Sequence, residues 1–378
     1  MKTIAYILYG IIFHILRLFP VKSKKVVCLM IHNSRFTGNL RYMREEMEKR
    51  DDFTFVVLSK KQLFSVSGTG LIGMLQLVWA TLQFYIQWNY HMATAEYILL
   101  NDNFLPLAYM NLSHKTKLVQ LWHGVGAWKQ FGLTSEKDET VRAIVRKGNQ
   151  QLTHVFVSSQ SVVSCYQDAF GVSEDKIFAT GIPVTDFYFD HEKQAQAKTR
   201  VYKRYPGIKG KKVILYTPTF REDKEADRNL FQHFPARELL QELGEDWVIL
   251  LRLHPQVHQN LELSEAGCYD VTKYLDVKDL YVVADILIND YSSTVVEYAL
   301  LHKPIYQYAY DLDLFSRGFY WDYTEYAPGP IAYNWKELVG YLKEGTIDEE
   351  KWKRFVTLQY GQPDGQATKR AVDIILEK

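Results

Sequence analysis

The stretch Lys117-Leu118-Val119-Gln120-Leu121-Trp122-His123-Gly124-Val125-Gly126 decides how this chain is read. Its apolar run predicts a strand over residues 117–122. His123 then falls at the strand's carboxyl end, and two glycines let the backbone approach a ligand closely. Leu251-Arg252-Leu253-His254-Pro255 has the same layout. A strand over 247–253 leads to His254, and Pro255 cannot donate to a ladder. Arg252 and His254 alternate with Leu251 and Leu253, so both polar side chains are expected on one face.

Further short β-type runs surround these two. In the first half they cover 25–31, 54–58, 97–101 and 154–158, with helical patterns over 39–50 and 161–170. In the second half they cover 212–216, 286–290 and 304–308. Helical patterns there cover 234–243, 277–284, 293–301 and 335–344. Strands alternating with helices indicate βαβ units and parallel sheets. The charged segment 190–210 separates the two series and ends in a Pro-Gly turn. The reading is an α/β chain of two doubly wound domains, with ligands bound at the carboxyl ends of the strands.

The bulk numbers fit this. The chain has 378 residues, of which 47% are hydrophobic, enough for two cores. With 24% charged residues it does not resemble a disordered chain. Its 45 basic and 44 acidic side chains leave a net charge of +1, so no global field attracts nucleic acid and no nucleic-acid partner is expected. The three cysteines, Cys28, Cys165 and Cys268, form no CxxC pair. That argues against a disulfide framework or a structural zinc and fits a reducing compartment. Cys28, inside an apolar run, reads as buried and inert.

Two more motifs carry polar groups at predicted strand ends. Asn289-Asp290-Tyr291-Ser292-Ser293-Thr294-Val295-Val296-Glu297 runs from strand through turn to helix. Ser292, Ser293 and Thr294 place hydroxyls beside the open amides of a helix start, which suits phosphate. Glu297, one turn in, could accept from a ribose or complete a capping box. Tyr216-Thr217-Pro218-Thr219-Phe220-Arg221 ends a strand in hydroxyls and a cation, and a plain turn fits it equally well. Histidine titrates near neutrality, so His123 can take a proton from an attacking hydroxyl. A structural hydrogen bond is the competing role. Arg252 suits a diphosphate or a buried carboxylate partner. His32, His114, His154, His233, His258 and His302 show no metal spacing, and GxxxxGK[ST] is absent. No dedicated metal cluster is visible. The one cofactor the chemistry leaves open is a loosely held Mg²⁺.

Residues 4–19 are apolar but interrupted by His14 and Arg17, and Pro20 and Lys22 to Lys25 follow. The run is too short to span a bilayer, and no signal-cleavage pattern follows. A helix lying at the membrane surface is expected. Residues 71–90 are apolar and aromatic with a polar stripe. They read equally as an interfacial helix or a core helix.

Taken together, in this order, the WHG, RxHP and DYSS…E motifs and the 216–221 turn resemble the CDP-glycerol glycerophosphotransferase family. Its members prime or polymerise teichoic acid and related capsular polymers. The resemblance implies a GT-B type fold, two Rossmann-like domains facing across a donor cleft. The expected division is a membrane-associated helix (1–24), an acceptor domain (25–190), a donor domain (191–364) and a C-terminal helix (365–378). It implies transfer of glycerol phosphate or ribitol phosphate from CDP-glycerol or CDP-ribitol to an undecaprenyl-diphosphate-linked saccharide or polymer. CMP would be released, peripherally, at the cytoplasmic face of the cell membrane. His123 would be the base and His254 would stabilise the donor diphosphate. The expected binding set is Gly124, Arg252, Thr217, Thr219, Arg221, Asp290, Ser292, Ser293 and Thr294, with Glu297 on the ribose. Val125-Gly126-Ala127-Trp128-Lys129 departs from the Thr-Pro and basic residue of many relatives. The polyol, the choice of priming or polymerising, and the oligomeric state stay open. Two rivals remain: a GT-B glycosyltransferase using a UDP- or GDP-sugar, and a non-catalytic membrane-bound recruiting module.

Overall fold

The computed structural model describes residues 2–31, 36–59, 70–221, 233–254, 267–315 and 318–377. The first sheet contains β1 (Lys22–Met30), β2 (Thr54–Ser59), β3 (Ala95–Leu100), β4 (Lys117–Gln120), β5 (His154–Phe156) and β6 (Ile177–Phe178). Its order is β2-β1-β3-β4-β5-β6, parallel throughout. The second contains β7 (Lys212–Thr217), β8 (Trp247–Leu251), β9 (Cys268–Asp270), β10 (Ile286–Asn289), β11 (Ile305–Tyr308) and β12 (Ile331–Ala332). Its order is β12-β11-β10-β7-β8-β9, also parallel. Strand order reverses between β1 and β3, and again between β7 and β10. Such switch points are where doubly wound sheets bind ligands.

The strands are apolar because both faces are covered. Val26 to Met30 are all buried, Cys28 among them. On one side Leu40, Met43 and Met47 of the Asn39–Glu48 helix close the core, together with Ala371, Val372 and Ile375 of the Ala367–Leu376 helix. Apart from Ala371, each of these buried side chains contributes about 1.5–3 kcal/mol. Burial pushes the Cys28 thiol up to about 12, which keeps it inert.

The chain forms two compact units. The first comprises Met1–Ala127, Phe131–Asp186 and Pro363–Lys378, and the second comprises Trp128–Gln130 and Phe187–Gln362. The C-terminal helix is fastened into unit 1. Lys117 Nζ donates to the carbonyls of Ile375 and Glu377, and Asp186 accepts from the amides of Ala367 and Thr368. The charged segment after Asp190 forms a helix, His191–Arg204. Asp190 caps it by accepting from the Lys193 amide, and Ala197 and Val201 are its buried residues. Arg200 fixes it through a bidentate pair with Asp279 at 2.8 and 2.7 Å.

Near the N-terminus, the Lys2–Leu16 helix packs on the Gly70–Ala93 helix. Tyr9, Phe13 and Trp88 are buried there, with Tyr9 edge-on to Tyr85 and Phe104. The opposite faces carry exposed Ile4, Leu8, Ile11 and Ile15 on one helix, and Val78, Trp79, Leu82 and Ile86 on the other. Among the described residues no helix is long and apolar enough to cross a membrane.

Candidate active site

In unit 1 the site residue is His123, just past β4. The strand stops at Gln120, two residues earlier than its pattern predicts. Trp122 has a φ of +53°, a backbone state that strains an L-residue. The surroundings hold it there. Asn39 Nδ2 donates to the carbonyls of Leu121 and Trp122 at 3.1 and 2.9 Å, while its Oδ1 accepts from the Val184 amide. Gln120 Oε1 accepts from the Trp122 amide. The indole stacks on Phe131 and meets Phe170 edge-on. Beyond it, Gly126 also has a positive φ, 68°, and its carbonyl accepts from Tyr166.

The His123 ring is about half exposed and lies 4.2 Å from the Trp122 ring. Nδ1 is 3.3 Å from the Asn101 carbonyl and 3.8 Å from Asp102 Oδ2. A carbonyl can only accept, so Nδ1 carries the proton and Nε2 is the basic nitrogen. Asp102 sits at the carboxyl end of β3, the neighbour of β4, and its side chain is 15% exposed. Sequence reasoning missed Asn39, Asn101 and Asp102. The available signal was Asn101-Asp102 at the end of a predicted strand. Gly124 lies beside the indole of Trp122, where an added Cβ would meet it at 3.4 Å.

In unit 2 the candidates gather at the β7/β10 switch point, where Thr217 is in register with Asn289. Thr217 Oγ1 and Thr294 Oγ1 are 2.8 Å apart, and Thr294 Oγ1 donates to Asn289 Oδ1. Ser292 and Ser293 precede the short Thr294–Tyr298 helix, with Ser293 exposed and making no side-chain cap bond. Glu297 is half-buried and accepts from Tyr188 at 2.9 Å. Burial raises its carboxyl above the usual range, against the pull of Lys278 and Tyr188.

Three of the expected binding residues face one another instead of an open surface. Asp290 is fully buried. It accepts from the Thr219 amide and hydroxyl, the Tyr291 amide and Arg221 Nη1. Arg221 also forks onto Asp311 at 2.6 and 3.0 Å. Burial opposes the guanidinium charge, and Asp290 and Asp311 more than offset it, holding the group above its ordinary value.

Arg252 is not the strand residue its alternation suggests, because β8 ends at Leu251. Its guanidinium donates to the carbonyls of Val271 and Tyr274, at 3.3 and 2.7 Å, so its partners are carbonyls where a carboxylate was the expected structural partner. His254 is half-buried, its ring 4.7 Å from Phe220. Pro255, His32 and His258 lie outside the described residues. Among the described residues, no three His, Cys, Asp or Glu side chains converge to hold a metal ion.

The family model described as CDP-Glycerol:Poly(glycerophosphate) glycerophosphotransferase matches residues 11–377. The chain belongs to this family. It is 34% identical to the teichoic acid poly(ribitol-phosphate) polymerase of Bacillus spizizenii, over 98% of this chain and 59% of that protein. It is 31% identical to the teichoic acid ribitol-phosphate polymerase TarK of Staphylococcus aureus, over 97% of this chain and 71% of that one. With the teichoic acid ribitol-phosphate primase of B. spizizenii the identity is 29%, over 95% and 92% of the two chains. The chain therefore spans about three-fifths of the first polymerase and nearly all of the primase. Among solved structures, the wall teichoic acid polymerase TagF superposes with a TM-score of 0.79 at 23% identity, covering 99% of this chain and 95% of that one. The fold is thus α/β with two parallel sheets, GT-B-like, and the family resemblance carried by the motifs is borne out.

Proposed function

We propose that this glycerophosphotransferase-family chain transfers glycerol phosphate or ribitol phosphate from a CDP-polyol to a hydroxyl of a lipid-linked acceptor. The observation that carries the reading is His123. Its ring is exposed at a strand's carboxyl end, with Nδ1 turned to a carbonyl and a carboxylate. Nε2 takes the acceptor's proton as the acceptor oxygen attacks the β-phosphorus of the donor. The bond from that phosphorus to the bridging oxygen breaks, and its electron pair leaves with CMP. Asp102 acts through His123, steadying the imidazolium that forms. His254, Ser292 and Ser293 hold the diphosphate, and Glu297 holds the ribose. Thr219, Arg221 and Asp290 build the floor under these groups, and Arg252 ties the His254 turn to the loop after β9. Thermal-shift titration with CDP-glycerol, CDP-ribitol and UDP-sugars tests the donor class. Stabilisation by UDP-sugars alone would assign the chain to sugar transfer, and stabilisation by none of them would favour a recruiting module.

The apolar faces of the Lys2–Leu16 and Gly70–Ala93 helices rest on a membrane surface in this reading, at the cytoplasmic leaflet where the lipid-linked acceptor resides. Support comes from their exposed aliphatic stripes and from exposed Arg17 and Lys22 at their edge. Trp79→Glu should reduce co-sedimentation with lipid vesicles at least fivefold. Unchanged sedimentation would rule this face out.

A further inference from the structure

Beside these two helices lies a group of basic side chains with no acid among them. Lys25, on β1, is 5% exposed, and its Nζ donates to Thr94 Oγ1 at 2.6 Å. The same ammonium lies 5.0 Å from the centre of the Tyr90 ring, and Lys22 Nζ lies 5.5 Å from it. The backbone locks this arrangement, since the Lys22 amide donates to the Thr94 carbonyl. His91 adds a third basic group, and its buried Nδ1 has no hydrogen-bond partner among the described residues. No carboxylate among the described residues pairs with Lys22 or Lys25. The nearby Lys24 is the one that takes Asp51.

A buried cation without an anion is costly, and proteins keep such groups where a ligand completes them. Burial, and then the charge of Lys22, pushes Lys25 down to about 8. Burial, then Lys25 and Lys22, lowers His91 as well. A bound anion would balance the positive charge that burdens Lys25 and His91. The position narrows what that anion is. Phe19, 52% exposed, packs edge-on against Tyr90 at 5.6 Å, so the basic group begins where the exposed apolar face ends. Acyl chains against that face and a phosphate at Lys22, Lys25 and His91 would be one molecule.

We propose that Lys22, Lys25 and His91 form a binding site for the phosphate of an anionic phospholipid. It rests on the membrane reading above and adds selectivity for headgroup charge to it. Neither lysine belongs to the candidate catalytic site.

The test is calorimetric titration of the full chain with dihexanoyl phosphatidylglycerol below its micelle-forming concentration, alongside dihexanoyl phosphatidylcholine and inorganic phosphate. Saturable binding of the anionic lipid is expected, at least tenfold tighter than either comparator. Lys25→Met and Lys22→Gln should each weaken it tenfold or more. Lys22 is exposed, so its variant keeps the fold if the Lys25 variant does not. Equal affinity in wild type and Lys22→Gln would overturn the proposal. So would inorganic phosphate binding as tightly as the lipid, which would make this a free-phosphate site. Vesicle sedimentation separates the two readings. Vesicles that bind wild type and variants alike, whatever their phosphatidylglycerol content, sink the site and leave membrane attachment standing. Short-chain lipid bound without any vesicle binding does the reverse.

Discussion

Replacing Asp290 by Asn separates architecture from ligand contact in unit 2. The carboxylate is fully buried, and both of its oxygens accept from neighbours. Oδ1 takes the Thr219 hydroxyl and the Tyr291 amide, Oδ2 takes Arg221 Nη1 at 2.9 Å, and the Thr219 amide is shared between them at 3.0 and 2.9 Å. An amide nitrogen cannot accept, so one of the two positions would set donor against donor. Arg221, 7% exposed, would keep Asp311 but lose half of its charge balance. Breaking one side of a buried, hydrogen-bonded ion pair costs about 3–5 kcal/mol. For a unit of this size that lowers the melting temperature by roughly 6–20 °C. Urea denaturation of Asp290→Asn, followed by far-UV circular dichroism, should show the loss. A wild-type midpoint combined with a tenfold weaker affinity for CDP-glycerol would refute the reasoning. It would mean that the carboxylate meets the donor directly.

Two further outcomes follow from local chemistry. His154 stacks on Phe178 at 5.1 Å, and burial, then Lys117, pushes it down to about 4. Its folded value lies below its unfolded value near 6.5, so the unfolded chain binds more protons between these limits and stability falls as pH drops from about 6.5 to 4. The urea-unfolding free energy of His154→Gln across that range should fall less steeply, by about 2 kcal/mol after solvent screening, and parallel curves would contradict this. Gly126→Ala forces a side chain into a φ of 68°. It should lower stability by about 1–2 kcal/mol and slow turnover through the His123 loop, and unchanged denaturation would contradict that cost.

How far the sequence could be read depended on whether local residues or distant ones decide each feature. The parallel strands were legible because burial on both faces writes continuous apolar runs such as Val26 to Met30. His123 was legible as a strand-end histidine because the glycines beside it mark a turn. The stop at Gln120 was not, since nothing in a Trp announces a positive φ. Asn39, 83 positions from Trp122 in the chain, helps hold that loop in place. Asp102 was passed over because its pairing with His123 depends on β3 lying next to β4, which is a matter of sheet order. Thr219, Arg221 and Asp290 looked like ligand contacts because polar and charged residues gather there at predicted strand ends. The Asp290 carboxylate, 69 positions from Arg221 and 71 from Thr219, makes them partners of one another.

His123 is the proposed base in polyol-phosphate transfer. Its most direct test is CMP release by the purified chain, supplied with CDP-glycerol or CDP-ribitol and a synthetic lipid-linked acceptor, compared with His123→Ala at equal protein concentration. Acceptor-dependent CMP release is expected, falling about 10²–10⁴-fold in the variant, with donor binding retained. CMP release at the wild-type rate from His123→Ala would contradict it.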